Sequence, residues 1–235
     1  MSENLLEIEN VSVTYPDGAE ALAGVSLTVE PGGRVGLIGP NGAGKTSLLL
    51  AIMRAVSFEG RIVVDGVAVA RRTADEARSR CGMTFQDADD QLFMPALLDD
   101  VAFGPLNQGC DAETARERAR DAIAAVGLAG LEGRSAHHLS GGQKRSAALA
   151  TILSMQVKML LLDEPGANLD FRNRRRLIEL LGSRDEAMLL ATHDLDMVRQ
   201  LCERVIILDA GHVRADAATG DVLGDDDLLA AHGLA

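Results

Sequence analysis

The run Gly39-Pro40-Asn41-Gly42-Ala43-Gly44-Lys45-Thr46 constrains this chain more than any other stretch of it. It matches G-x-x-x-x-G-K-[ST], and it sits where that pattern has a mechanism, between the apolar run RVGLIG and the helix-prone SLLLAIMRA. Glycines let the backbone curl so that successive N–H groups face an anion, and the following helix adds partial positive charge at its N-terminus. Lys45 then brings a point charge to the β/γ-phosphate oxygens, and the Thr46 hydroxyl offers Mg²⁺ a ligand. Ser47, next in line, is placed to reach the α-phosphate. An ordinary glycine-rich turn before a helix would look alike. A chance match at all four fixed positions, however, arises in roughly a few chains per thousand. Gly39, Asn41, Gly42, Gly44, Lys45, Thr46 and Ser47 are therefore read as a nucleotide-phosphate loop.

The rest of the 235 residues narrows the class. A hydrophobic share of 47% excludes a disordered chain, and the length suffices for a full core. No apolar run reaches the roughly eighteen residues that a membrane span needs. The N-terminus, MSENLLEIEN, is acidic where a signal peptide is basic, so a cytoplasmic chain is expected. A net charge of −12 argues against a nucleic-acid partner, which would need a basic field. It leaves open a local phosphate site built from backbone N–H groups. Cys81, Cys110 and Cys202 are odd in number and lack CxxC spacing, which reads as reduced thiols without a zinc site. Lysine is scarce: Lys45, Lys144 and Lys158 stand against twenty arginines.

Along the chain, LLEIENVSVTY alternates apolar and polar residues up to the turn Pro16-Asp17-Gly18, and VSLTV (25–29) is the expected partner strand. IVVDGVAVA (62–70) reads as a hairpin turning at Asp65-Gly66. From about 111 the periodicity becomes helical: Ala115, Ala119, Ala122, Ile123 and Val126 share one face, with Gly127 as the stop. A second helix follows Gly142 and runs to about Met155. Apolar runs then return at 157–163, 187–192 and 204–209 with helical stretches between them, the pattern of a parallel sheet covered on both faces. The acidic tail GDDDLLAAHGLA reads as a short capped helix. The expected fold is thus α/β of the P-loop NTPase type: a parallel core sheet, an antiparallel β subdomain and an inserted helical subdomain. The whole of 1–235 forms one such domain, with 1–86 and 151–235 as the nucleotide-binding core and 87–150 as the helical part.

The apolar strand Met159–Leu162 ends in Asp163-Glu164. At the C-terminus of a parallel strand Asp163 would hold Mg²⁺, and Glu164 would polarise the water attacking the γ-phosphorus. A solvated strand end is the bland alternative. The phosphate loop upstream favours the functional reading.

Leu139-Ser140-Gly141-Gly142-Gln143 lies between these motifs. Alone it is a helix cap; at this spacing it resembles the signature of the ATP-binding-cassette ATPases. The order continues to match along essentially the whole chain. Gln86 stands at the family's Q-loop position, Gly166-Ala167-Asn168-Leu169-Asp170 at its D-loop, His193 at its switch histidine, and Tyr15 where an aromatic stacks on adenine. The resemblance implies two ATPs held between two head-to-tail subunits. Ser140, Gly141, Gly142 and Gln143 of one subunit would close on the γ-phosphate held by Lys45 of the other, with Asp170 at the same junction. It further implies that His193 orients the water beside Glu164, and that Gln86 contacts Mg²⁺ and reports γ-phosphate occupancy to the helical subdomain.

Phe85-Gln86-Asp87-Ala88-Asp89-Asp90-Gln91-Leu92-Phe93 and Asp99-Asp100-Val101-Ala102-Phe103-Gly104-Pro105 resemble the energy-coupling-factor subgroup, the ATPases of cobalt, nickel and vitamin importers. That likeness implies a peripheral protein on the cytoplasmic face of the membrane. Its segment 87–106 would receive a helix of a transmembrane T-component, in complex with a substrate-binding S-component. Leu92, Phe93, Leu97 and Leu98 would floor the groove, with acids at its rim. The alternatives are an ATPase of another importer or exporter class and a soluble, non-transport cassette ATPase. Three positions depart from the family pattern: Ser146 replaces the arginine usual three residues after the signature glutamine, Gly166 a threonine and Phe171 a proline. The chain also ends soon after its last helix, where many subgroup members carry a longer dimerisation region. Dimer contacts, with itself or a paralogue, are therefore expected to rest mainly on the shared ATP.

Overall fold

The computed structural model of the protein describes residues 4–234, which group into two compact units. The first spans residues up to Met83 together with Lys158–Asp163 and the stretch from Asp185 onward; the second spans Thr84–Val157 and Glu164–Arg184. The second unit thus begins three residues before the expected insert and takes in a further segment beyond Asp163.

The first unit holds two sheets. In one, β1 (Leu6–Thr14), β2 (Glu20–Val29), β4 (Glu59–Val64) and β5 (Val67–Ala68) are ordered β2-β1-β4-β5, with antiparallel pairing. β2 extends further than the VSLTV expectation and pairs with β1 through several register irregularities. Alternating residues of β1 (Leu6, Ile8, Val11, Val13) and β2 (Leu22, Val25, Leu27, Val29) share one hydrophobic core. Asp65 and Gly66 both take positive φ in the β4–β5 turn, as the Asp-Gly pair foretells.

The other sheet is ordered β10-β9-β3-β8-β7-β6, from β3 (Arg34–Ile38), β6 (Cys81–Thr84), β7 (Met159–Asp163), β8 (Ala187–Ala191), β9 (Arg204–Asp209) and β10 (His212–Ala218). β9, β3, β8 and β7 run parallel. Every residue of β7 and β8 is buried, which is why both read as unbroken apolar runs. In β3, Gly36 admits the helix α7 (Leu195–Leu201): a Cβ there would lie 2.7 Å from Val198 Cγ1. β10 is a mostly exposed edge strand, antiparallel to β9 across the turn Ala210-Gly211. It escaped the sequence reading because the alternation of HVRADAA rests on Val213 and small alanines, which carry little strand signal. Helix α1 (Lys45–Ile52) follows β3, α2 (Ala74–Arg78) precedes β6, α8 (Thr219–Leu223) follows β10, and the acidic tail forms a single short helix, α9 (Asp226–Ala231), capped by Asp225.

The second unit is helical: α3 (Leu97–Asn107), α4 (Ala112–Ala125), α5 (Gly141–Leu153) and α6 (Phe171–Gly182). Asp111 caps α4 by accepting from Glu113 N and Thr114 N, and Ala115, Ala119, Ala122 and Ile123 form its buried face as expected. Among the described residues no helix is long and apolar enough to cross a membrane.

Candidate nucleotide site

The first unit gathers its candidate residues at the C-terminal ends of the parallel strands, where open α/β sheets bind ligands. Gly39 closes β3 where no side chain fits, since a Cβ would sit 1.9 Å from Leu208 O. Gly44, at φ 105, packs against β2, and a Cβ there would meet Ala21 O at 2.4 Å. Between them Asn41 and Gly42 are exposed. Lys45 is 8% exposed, and its Nζ donates to Gly39 O at 2.7 Å and Pro40 O at 3.1 Å. The ammonium therefore closes the loop from below, held at the start of α1.

Thr46 Oγ1 donates to Asp163 Oδ2 at 2.8 Å. β8 separates their strands: Ala191 is in register with Leu37 on one side and with Asp163 on the other. Two hard oxygens so paired suit a divalent cation that takes one or two protein ligands and fills its octahedron with phosphate oxygens and water. Ser47 is buried, and its Oγ lies 3.1 Å from Tyr15 OH. Tyr15 is half-buried against the β-sheet core, so its ring is packed and its hydroxyl engaged at the edge of the loop. His193 is exposed two residues past the end of β8; Asp194 beside it caps α7 by accepting from Met197 N at 2.9 Å.

The second unit carries the remaining candidates. Ser140 and Gln143 form a reciprocal capping box: Ser140 Oγ accepts from Gln143 N at 3.3 Å, and Gln143 Oε1 from Ser140 N at 2.9 Å. The Gln143 side chain is thus occupied in shaping the helix start. Gly141 and Gly142 occupy the first turn, and a Cβ at Gly142 would be 3.4 Å from Asn173 Nδ2 and 3.6 Å from Leu169 Cδ2. Asp170 caps α6, accepting from Asn173 N and Asn173 Nδ2 at 2.8 Å each. Glu164 is 9% exposed at φ 47, and its carbonyl accepts from Arg145 Nη1 at 3.1 Å.

Gln86 is exposed on the segment that leads into the helices. Gln91, which the sequence offered only as part of a motif, ties that segment down. Its Oε1 accepts from Phe85 N at 3.2 Å, and its Nε2 donates to Ala148 O and Thr151 Oγ1 on α5. Lys144 pairs with Asp89 at 2.6 Å. Of the four residues expected to floor a groove, Leu92 and Leu97 are 6% and 0% exposed and belong to the interior. The phase of α3 explains this, since Leu97 and Val101 lie one turn apart on its core face. The exposed large apolar side chains of this segment are Phe93 (63%), Phe103 (40%) and Leu106 (45%), and the rings of Phe93 and Phe103 pack edge to face at 5.2 Å. Asp100 beneath them accepts from Phe93 N and Met94 N at 2.9 Å each.

The profile of the ABC transporter family matches residues 22–167. A Streptomyces avermitilis protein named, provisionally, as an ABC transporter ATP-binding protein is 45% identical over 230 residues, covering 97% of this chain and 88% of that one. The energy-coupling factor transporter ATP-binding protein EcfA of Methanothermobacter thermautotrophicus is 36% identical over 231 residues, covering 96% and 74%. Among solved structures, cbiO1 of Clostridium perfringens, part of the ABC transporter complex cbiONQ, superposes with a TM-score of 0.83 at 30% identity, covering 99% and 96%. A dimeric ATP-binding cassette in a post-hydrolysis state, bound to ADP and Pi, gives 0.83 at 26% identity, covering 91% and 98%. With the phosphate loop, the carboxylate strand end and the capped Ser-Gly-Gly helix all in one chain, the protein belongs to the ABC transporter family, as its ATP-binding and ATP-hydrolysing subunit.

Proposed function

We propose that this chain is the ATPase of an energy-coupling-factor-type importer for a transition metal ion or a vitamin, working on the cytoplasmic face of the membrane beneath a T-component and an S-component. The observation that carries this reading is the Phe93–Phe103 pair, two aromatic rings exposed on the acidic 87–106 segment. Exposed aromatics on a segment that also carries exposed Asp89, Asp90 and Asp99 suit an amphipathic helix with basic residues at its edge. The likeness to EcfA and to cbiO1 supports the same subgroup.

At the nucleotide, the N–H groups of 41–46 and the Lys45 side chain hold the phosphates, Ser47 reaches the α-phosphate, and Tyr15 borders the adenine. Mg²⁺, when bound, neutralises charge on the β- and γ-phosphates. Thr46, Asp163 and Gln86 are the residues that would hold it, directly or through water. Glu164 accepts a proton from the attacking water, and His193 orients that water and the γ-phosphate. A second subunit, identical or paralogous, brings Ser140, Gly141 and Gly142, a helix N-terminus suited to an anion, over the γ-phosphate, with Asp170 holding the neighbouring loop. Closure on ATP and reopening after hydrolysis would move the 87–106 segment and, with it, the membrane partner.

Co-expression with the neighbouring genes and purification through this chain tests the reading. A small multi-spanning S-component is expected in the purified complex. F93S/F103S is expected to keep ATP binding and lose the membrane proteins. Retention of the membrane partner by that variant would remove the docking assignment, and a complex with a periplasmic-binding-protein importer or an exporter would place the chain in another transporter class.

A further inference from the structure

Arg145 lies two residues beyond Gln143 on α5, and its Nη1 donates to the main-chain oxygen of Glu164 at 3.1 Å. The same oxygen accepts from Ala167 N at 3.1 Å, closing a tight turn. Glu164 itself sits at φ 47, a left-handed conformation that a residue with a β-carbon adopts only when its surroundings impose it. It is also largely buried. The Glu164 carbonyl is thus held locally, by Ala167, and also from a separate helix. The second comes from a guanidinium, whose bond is charge-assisted and whose planar fork loses little freedom on making it. Ser146, the next residue on the helix, is too short to take over.

We propose that Arg145 is a positioning residue for ATP hydrolysis. By holding the Glu164 carbonyl it fixes the strained backbone that aims the Glu164 carboxylate, and it ties that aim to the helix whose first turn is Ser140–Gly142. The inference rests on the role given to Glu164 above. If the Glu164 peptide rotates out of its left-handed conformation, the carboxylate leaves its line to the water while the phosphate loop, which Arg145 does not touch, still binds nucleotide. Displacements on the ångström scale are enough to cost about a hundredfold in rate.

The test is steady-state ATP hydrolysis by the full chain, with binding of a fluorescent ATP analogue measured in parallel, for R145A, R145K and E164Q. The expected result for R145A is a kcat at least tenfold below native, with KM and analogue affinity within twofold. R145K, which keeps the charge and the stem but not the fork, is expected to fall between the two, and it carries the test if R145A does not fold. A kcat within twofold of native in R145K and in folded R145A would overturn the proposal. So would a loss confined to nucleotide affinity, which would assign Arg145 to binding. An active E164Q would instead overturn the role of Glu164 itself, whereas an inactive E164Q beside a native-like R145A would overturn only the positioning by Arg145.

Discussion

Thr46 Oγ1 donates to Asp163 Oδ2 at 2.8 Å, joining the first turn of α1 to the end of β7 across 117 positions of chain. The hydroxyl opens α1 and the carboxylate closes β7, so one hydrogen bond fixes two oxygens that chain distance alone could never align. Preorganisation of this kind lowers the cost of gathering ligands around a cation. T46V removes one oxygen and the bond from Thr46 Oγ1 to the Asp163 carboxylate. We expect T46V to raise the Mg²⁺ concentration for half-maximal hydrolysis at least tenfold. An unchanged Mg²⁺ dependence would take Thr46 out of the cation site.

Lys45 Nζ satisfies the carbonyls of Gly39 and Pro40 from a buried position. In K45A both oxygens lose that donor; Pro40 O keeps the bond from Ala43 N, and the loss at Gly39 O is worth about 1–3 kcal/mol where it stays buried. Hydrolysis is expected to fall by two orders of magnitude or more, with a lower melting temperature for the ATP-free protein. Undiminished turnover would contradict the phosphate-loop assignment.

Asp65, at the β4–β5 turn, accepts from Arg80 and from Lys158 Nζ, the latter at 2.8 Å. These partners hold its carboxyl below the usual value of 3.8, the Lys158 bond contributing most. A carboxyl with a depressed folded pKa stabilises the protein above its unfolded pKa, and that stabilisation is lost as pH falls through the folded value. D65N keeps a residue tolerant of positive φ and removes only the charge. Denaturant titration should show D65N less stable by about 1 kcal/mol at neutral pH, with the difference closing below 3.8. A gap that persisted in acid would mean that the turn, and not the ion pairs, carries the effect.

Asp100 presents the opposite case. It is 3% exposed, its Oδ1 accepts from Phe93 N and Met94 N, and its Oδ2 is buried without a hydrogen-bond partner. Burial pushes its carboxyl above 3.8, against the two backbone bonds that lower it. Its stabilisation is therefore complete below the unfolded value and declines as pH rises through the folded one. D100N retains an acceptor for the loop, so stability relative to native should shift in its favour as pH rises from about 4 to about 7. D100A, which orphans both N–H groups, should cost about 1–3 kcal/mol. A pH-independent difference for D100N would show that the native carboxyl titrates as it does in the unfolded chain.

Lys158 shows where sequence legibility ended. Its scarcity made it conspicuous, but its partner Asp65 lies 93 residues away, a pairing that no local pattern encodes. The parallel strands β7 and β8 were legible because burial on both faces demands unbroken apolar runs. The phosphate loop was legible because its glycines answer backbone constraints, as at Gly39 and Gly44. β10 was not, since its less exposed face is one valine followed by alanine, a weak strand signal, and Ala210 at φ 47 is an unusual occupant of its turn. The helical phase of α3 also went unread, which put Leu97 in the expected groove instead of the core. Nothing local in the sequence singles out Arg145; its bond to Glu164 depends on how α5 meets the turn after β7.

Size-exclusion chromatography of E164Q with and without Mg-ATP tests the central claim, hydrolysis by Glu164 at a site completed by a second subunit. The variant is expected to bind ATP, to hydrolyse it at least a hundredfold more slowly than native, and to shift from the monomer to the dimer position only when ATP is present. An E164Q protein that turned over ATP at the native rate, or that bound ATP and stayed monomeric, would contradict it.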